Sequence, residues 1–280
     1  MRVGFLMLRH PVGRMCPVMP DVLALLQQWG AEVDVIYPED QIVDLANVRV
    51  EHDLYILRST SALAFNLAGA LHAAGAAIVN PYPVSALLRD KAATFAILRA
   101  AGVPAPETFL ASRREHLVSL LDDGPIVLKP YHVSAGHAAR IVWEAGELDD
   151  TPEEPPMLVQ RYYEPDGPDR KVYSIGAQTF GVVRRFPSRS YLERLGTPFT
   201  PTGEILDIAW RCGRAFGIDL YGIDVIECDG RPYVVDISAF PWFTGVPDGA
   251  LRLADYIFAA AERVLRGEPL LPCTTSQAVA

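Results

Sequence analysis

The chain has 280 residues, half of them hydrophobic, and 25 basic residues stand against 34 acidic ones for a formal net charge of −9. That balance predicts a water-soluble globular protein of one large or two to three small units and excludes a broad nucleic-acid footprint, leaving room only for a local basic groove. Four cysteines (Cys16, Cys212, Cys228, Cys273) show no paired metal-ligand spacing and read as thiols buried in a reducing compartment.

The opening Met1–Leu8 is too short for the apolar core of a signal peptide. Residues 1–82 alternate short apolar runs with helical segments. Val3–Leu8, Ala31–Tyr37, Leu54–Leu57 and Ala77–Val79 read as strands, and Asp21–Trp29 and Ser61–Ala74 as helices stopped by Gly30 and Gly75. Such alternation predicts a small parallel sheet covered on both faces. Ser61 to Val79 has almost enough apolar residues to span a membrane, but Asn66, His72, Gly69 and Gly75 interrupt it and alanine supplies much of its apolar count. A buried helix followed by a strand is the expectation, in a cytoplasmic protein with neither membrane nor nucleic acid as partner.

Pro81 and Pro83 break the pattern. The helix Asp90–Ala101 follows, ended by Gly102, and Pro104 and Pro106 enforce an extended exit. Further on come a strand from Thr108, a helix (Arg113–Leu121), a strand (Ile126–Lys129), a loop, and strands Arg140–Trp143 and Met157–Gln160; the acidic, proline-rich Asp149–Pro156 is a surface loop. Residues 161–280 hold the strands Lys171–Ile175 and Phe180–Arg185, a helix (Thr202–Phe216), a hairpin and a closing helix (Ala250–Leu265), with a frayed end. Three units follow: 1–82, 83–160 and 161–280.

The hairpin Tyr221–Ser238 is the most informative segment. Two β-branched runs flank Asp229-Gly230, and each carries an acid, Asp224 and Asp236. Alternation puts Asp236 and Ser238 on one face. Asp224 joins them only with an odd-numbered loop, for instance a type I turn with Gly230 in a bulge; a two-residue loop separates the acids. Together they make an oxygen site suited to a hard cation such as magnesium; an acid pair solvated on an exposed hairpin face is the competing reading. Lys129, at a strand end, is a point charge suited to a phosphate, and Ser134 and Gly136 in the next loop let backbone N–H groups approach phosphate oxygens. A lone strand-end lysine is more often solvated than functional, and a free surface lysine is the default reading of Lys91 at its helix start.

The ordered set RDKAATFAILRAAGVPAPET (89–108), PIVLKPYHVSAGHAARIV (125–142), MLVQRYYEPDGPDRKVYSIG (157–176) and the hairpin resembles the ATP-grasp superfamily, nearest to RimK-like and glutathione-synthetase-like ligases. The resemblance implies an ATP-grasp fold, α/β plus α+β: a small parallel N-terminal domain, then two α+β lobes enclosing ATP. It implies that Lys91 and Lys129 contact ATP phosphates, with Lys171 facing them as a catalytic residue. Gln160 would sit at the hinge, where the backbone of Tyr162 and Tyr163 reads adenine. Asp224 and Asp236 match magnesium-binding acids. Two departures stand out: Ser238 replaces an asparagine in the acid-x-Asn motif, and Tyr191 in Arg189-Ser190-Tyr191-Leu192 replaces another amide.

The implied reaction is ATP- and Mg2+-dependent joining of a carboxylate to an amine or thiol through an acyl phosphate, on small-molecule or peptide substrates. Arg185 is chosen to stabilise the acyl phosphate, with Arg184 on the opposite face and solvated. Arg58, at the edge of the parallel sheet, is assigned to a substrate carboxylate, with a surface salt bridge as the alternative; Arg189 is placed with the substrate. The runner-up is an ATP-grasp kinase acting on a polyol or inositol phosphate, since DISAFPWFTGV (236–246) also resembles such kinases and His137 fits their basic residue. A nucleotide-binding sensor without turnover is the third reading. A homodimer is left open.

Overall fold

The computed structural model describes residues 1–9, 18–129, 139–149, 156–184, 193 and 195–271. Strands β1 (Arg2–Met7), β2 (Glu32–Ile36), β3 (Leu54–Arg58) and β4 (Ile78–Val79) form a parallel sheet in the order β2-β1-β3-β4. Every residue of β3 is buried, as expected of a central parallel strand covered on both faces. Helices α1 (Met19–Gln28) and α2 (Ala62–Ala73) belong to this unit, and the Ser61 hydroxyl caps α2 by accepting from the Ala64 amide. The alanine-rich Ser61–Val79 is thus a helix and a strand. No helix among the described residues is long and apolar enough to cross a membrane.

One helix was not expected. Pro81 and Pro83 read as breakers, yet α3 (Tyr82–Leu87) begins there, because proline in the first helical turn lacks only an N–H that has no intrahelical partner anyway. Asp90 then caps α4 (Lys91–Ala100), its carboxylate accepting from the Ala93 amide.

The second sheet is antiparallel: β5 (Thr108–Ala111), β6 (Ile126–Lys129), β7 (Arg140–Val142) and β8 (Met157–Arg161), in the order β5-β8-β6-β7. The expected helix at 113–121 is a 3-10 turn (Arg114–Leu117) running into the single turn α5 (Val118–Leu121). The third sheet contains β9 (Asp169–Ile175), β10 (Gln178–Arg184), β11 (Thr197–Phe199), β12 (Leu220–Cys228) and β13 (Arg231–Ser238), ordered β11-β10-β9-β12-β13. The short edge strand β11 is an addition to the sequence reading.

Helices cover both faces of the third sheet. On one face α6 (Gly203–Phe216) packs Ile205, Ile208 and Cys212 onto Val172, Ile223, Val225 and Ile237, and α4 adds Phe95 and Leu98. In that core the Cys212 thiol is pushed up to about 12 by burial. Cys228 is only half-buried, and Cys16 and Cys273 lie outside the described residues. On the other face α7 (Gly249–Leu265) sets Leu253, Ile257 and Ala261 among residues of both sheets, Val3, Phe5 and Ile56 from the first and Ile175 and Leu220 from the third. Leu253 and Ile257 each contribute about 1.5–3 kcal/mol when fully buried, so α7 ties the N-terminal sheet firmly to the third. Asn80 reinforces the join: its Nδ2 donates to the carbonyls of Leu220 (2.5 Å) and Ala239, which flank the hairpin.

Candidate active site

The turn between β12 and β13 has two residues, Asp229 and Gly230, with φ of 52° and 70°. Both lie in the left-handed region that a type I′ hairpin needs, and Asp-Gly is a favoured pair there. Asp166 anchors the turn, its carboxylate accepting from the amides of Asp229 (3.2 Å) and Gly230 (2.8 Å). Of the two alternatives the sequence left open, the loop is the two-residue one, not an odd-numbered one with a bulge at Gly230. By simple alternation this turn would put the acids on opposite faces.

It does not, because the odd residue lies elsewhere. Val225 pairs with Val234 and Asp224 with Asp236, so Val235 is an extra residue, a β-bulge that restores the phase. Asp224 and Asp236 are directly opposed on one face, and Ser238, exposed, follows on the same face opposite Gly222.

Three lysines converge on this pair. Lys91, at the start of α4, forms an ion pair with Asp236, and Lys171, opposite Asp224 on β9, forms one with Asp224. Lys129 ends β6 and donates to the Val235 carbonyl at 2.6 Å. The bulge thus aligns the acids and presents the acceptor that Lys129 uses. Burial lowers the Lys129 ammonium to about 8; the nearby Lys91 charge adds to that effect, and Asp236 and Asp224 only partly oppose it. Asp169, on the same face, has its carboxyl held up by desolvation and by Asp224.

Gln160 is fully buried in β8, its Nε2 donating to the Thr108 hydroxyl at 2.9 Å. The Tyr162 amide donates to the Pro125 carbonyl at 3.0 Å, so that N–H is spent inside the protein and its carbonyl is what remains for a ligand. The Tyr163 ring meets Tyr233 of β13 edge to face at 4.7 Å, and Tyr162 meets Trp143 at 5.5 Å. The Tyr163–Tyr233 contact joins the second sheet's exit to the acid-bearing hairpin.

Arg184 corrects the sequence reading. Ile175 pairs with Gln178 across a two-residue turn, and the register brings Val182 opposite Lys171 and Arg184 opposite Asp169. Arg184 therefore shares the face of Lys171 and the two aspartates. It is half-buried, not solvated, and its Nη2 donates to the Tyr173 hydroxyl (2.9 Å) and the Thr244 carbonyl (3.0 Å). The signal was available: Gly176, with φ of 59°, marks a turn whose length fixes this parity. Arg58 is not the surface residue its alternative required, being 6 % exposed with its guanidinium over the rings of Phe240 and Trp242. Ser134, Gly136, His137, Arg185, Arg189 and Tyr191 lie outside the described residues.

The parallel sheet followed by two antiparallel sheets, with lysines from α4, β6 and β9 meeting carboxylates on β12 and β13, defines an ATP-grasp fold. The same fold is seen in a RimK domain ATP-grasp protein from Sphaerobacter thermophilus, which superposes with a TM-score of 0.74 at 20 % identity over 91 % of this chain and 99 % of that one. The sequence profile of the RimK-like ATP-grasp domain matches residues 88–257, and the chain belongs to that family. Among curated relatives it is 27 % identical over 178 residues to inositol-tetrakisphosphate 1-kinase of Danio rerio, covering 51 % of this chain and 43 % of that protein. It is 25 % identical over 192 residues to a probable alpha-L-glutamate ligase of Vibrio atlanticus, covering 62 % of this chain and 64 % of that one. The chain spans less than two thirds of the length of either relative.

Proposed function

We propose that this protein is an ATP- and magnesium-dependent ligase that joins a carboxylate to an amine or thiol through an acyl phosphate, with 1–82, 83–160 and 161–280 as its working units. The observation that carries the reading is the meeting of Lys91, Lys129 and Lys171 with the opposed Asp224 and Asp236. Two carboxylates on one face fit magnesium, which takes one or two protein acids and completes its shell with phosphate oxygens and water. The Ser238 hydroxyl is a third oxygen on that face. Magnesium held there would supply positive charge to the nucleotide's phosphates.

The residues of the chain bind and orient. Lys91, Lys129 and Lys171 exchange their protein acceptors for phosphate oxygens and neutralise the charge that develops as the carboxylate attacks the γ-phosphorus and ADP leaves. Gln160 and the backbone at Tyr162 and Tyr163 hold the adenine. The amine then attacks the acyl carbon and inorganic phosphate departs. Arg184, on the same face as Lys171, joins Arg185 as a candidate for the acyl phosphate oxygens.

The kinase reading stays in play through one observation, the 27 % identity to inositol-tetrakisphosphate 1-kinase. Incubation with ATP, Mg2+ and pools of amino acids, peptides and inositol phosphates separates the readings. ADP with a new amide or thioester is the expected result. ADP with a phosphorylated alcohol means a kinase, and nucleotide binding without turnover in any pool means a sensor.

A further inference from the structure

Arg58 closes β3 at the carboxyl-terminal edge of the parallel sheet, where open α/β sheets receive ligands. Its guanidinium lies over the rings of Phe240 (5.7 Å) and Trp242 (5.6 Å), on the segment that leaves β13 just past Asp236. Asn80 pins that segment by donating to the Ala239 carbonyl. Nε and Nη2 of Arg58 are both buried and both lack a hydrogen-bond partner. Those two atoms are the parallel donors along one edge of the guanidinium, an intact fork of the kind that grips a carboxylate through both oxygens. Among the described residues no carboxylate pairs with it. A buried cation with an empty fork costs stability and persists where a ligand completes it.

We infer that the Arg58 fork holds a substrate carboxylate that is not the one phosphorylated: the α-carboxylate of an amino acid or the second carboxylate of a diacid. This deepens the ligase reading and rests on it. The planar fork presents two parallel donors, which a carboxylate meets with both of its oxygens. A carboxylate gripped through both oxygens is a handle, because its lone pairs are engaged; the reacting carboxylate needs a free oxygen to attack phosphorus. A substrate lacking the handle would leave the fork buried and unpaired, which makes Arg58 a specificity device.

The test is calorimetric titration of the full chain, with and without Mg2+ and a nonhydrolysable ATP analogue, using glycine, L-alanine, succinate, L-glutamate and inorganic phosphate as probes. Arg58→Met and Arg58→Lys are titrated beside the wild type. The expected result is saturable binding of at least one carboxylate probe, weakened at least about tenfold in both variants, with affinity for the analogue unchanged. Binding of glycine or L-alanine assigns the handle to an α-amino acid, and binding of succinate assigns it to a diacid. The thermal midpoint of Arg58→Met should equal or exceed that of the wild type, since an unpaired buried charge is removed; a purely structural arginine would lower it. No carboxylate probe binding, equal binding by Arg58→Met, or binding of phosphate alone overturns the inference. Failure of the analogue to bind is a separate result that strikes the ligase reading, because the carboxylate titrations without nucleotide still report on Arg58.

Discussion

Lys129 carries two opposite pH dependences that a single protein preparation can display. Its ammonium is lowered to about 8 from an ordinary 10.5 because burial strips its water and Lys91 repels it. A phosphate needs that charge. Free protein would be about 90 % protonated at Lys129 near pH 7 and about 10 % near pH 9, so nucleotide affinity should fall about tenfold per pH unit above 8, roughly 1.4 kcal/mol each. Binding near pH 8 should take up about half a proton, rising toward one at higher pH. Stability of the unliganded protein runs the other way: between about 8 and 10.5 the unfolded chain holds a proton that the folded chain does not, so stability rises with pH. The assay is titration of a nonhydrolysable ATP analogue in buffers of different ionisation enthalpy, with Lys129→Met as the control that removes this site's proton and leaves the ligand's own. A wild-type affinity flat across this range, or a proton uptake that survives in Lys129→Met, refutes the assignment of Lys129 to phosphate.

Asp236→Asn keeps the side chain's shape and removes its charge; turnover should fall at least about 10²-fold and the Mg2+-dependent part of nucleotide affinity should vanish, while the thermal midpoint moves little. An unchanged dependence on Mg2+ in equilibrium binding would contradict the metal assignment. Asp166→Ala strips the hairpin turn of two acceptors and should destabilise the protein by about 1 kcal/mol, read as a lower urea midpoint with an unchanged m-value. Deleting Val235 should leave a regular hairpin in which Asp224 still opposes Asp236, so the variant folds and retains Mg2+ binding, while Lys129 loses its acceptor. Loss of Mg2+ binding from a folded deletion variant would show that the bulge does more to the acids than set their phase.

The sequence exposed what depends on short-range pattern. Strand–helix alternation over the first 82 residues, the helix starts at Ser61 and Asp90, and the stop at Gly102 have local causes, and each of these elements stands within a few residues of its expected position. The α3 helix was missed because proline's meaning changes with its place in a helix, and nothing local says that Pro83 falls in a first turn. Arg184 was missed for a different reason. Lys171 and Arg185 were assigned together, although a two-residue turn at Gly176 puts Lys171 in phase with Arg184. Checking each strand pair for parity against its turn length would have found Arg184. The ion pairs of Lys91 and Lys171 were beyond reach, since they join residues brought together only by the assembly of two sheets and a helix.

The Val235 bulge shows why a hairpin's turn does not by itself determine which side chains share a face. Asp-Gly selects a two-residue turn through its two positive φ angles, and that choice alone would turn one acid toward α6 and its apolar core. Burying a carboxylate there would be costly, whereas one extra residue in β13 costs a single ladder position and returns Asp236 to the lysines. The ladder position given up is not wasted, because the Val235 carbonyl meets the Lys129 ammonium at 2.6 Å. A partly desolvated lysine needs such an acceptor to hold its place at the end of β6. Turn chemistry, phase of the acids and placement of the third lysine are therefore one coupled solution, in which an irregular strand keeps the two carboxylates opposed on the face of the lysines.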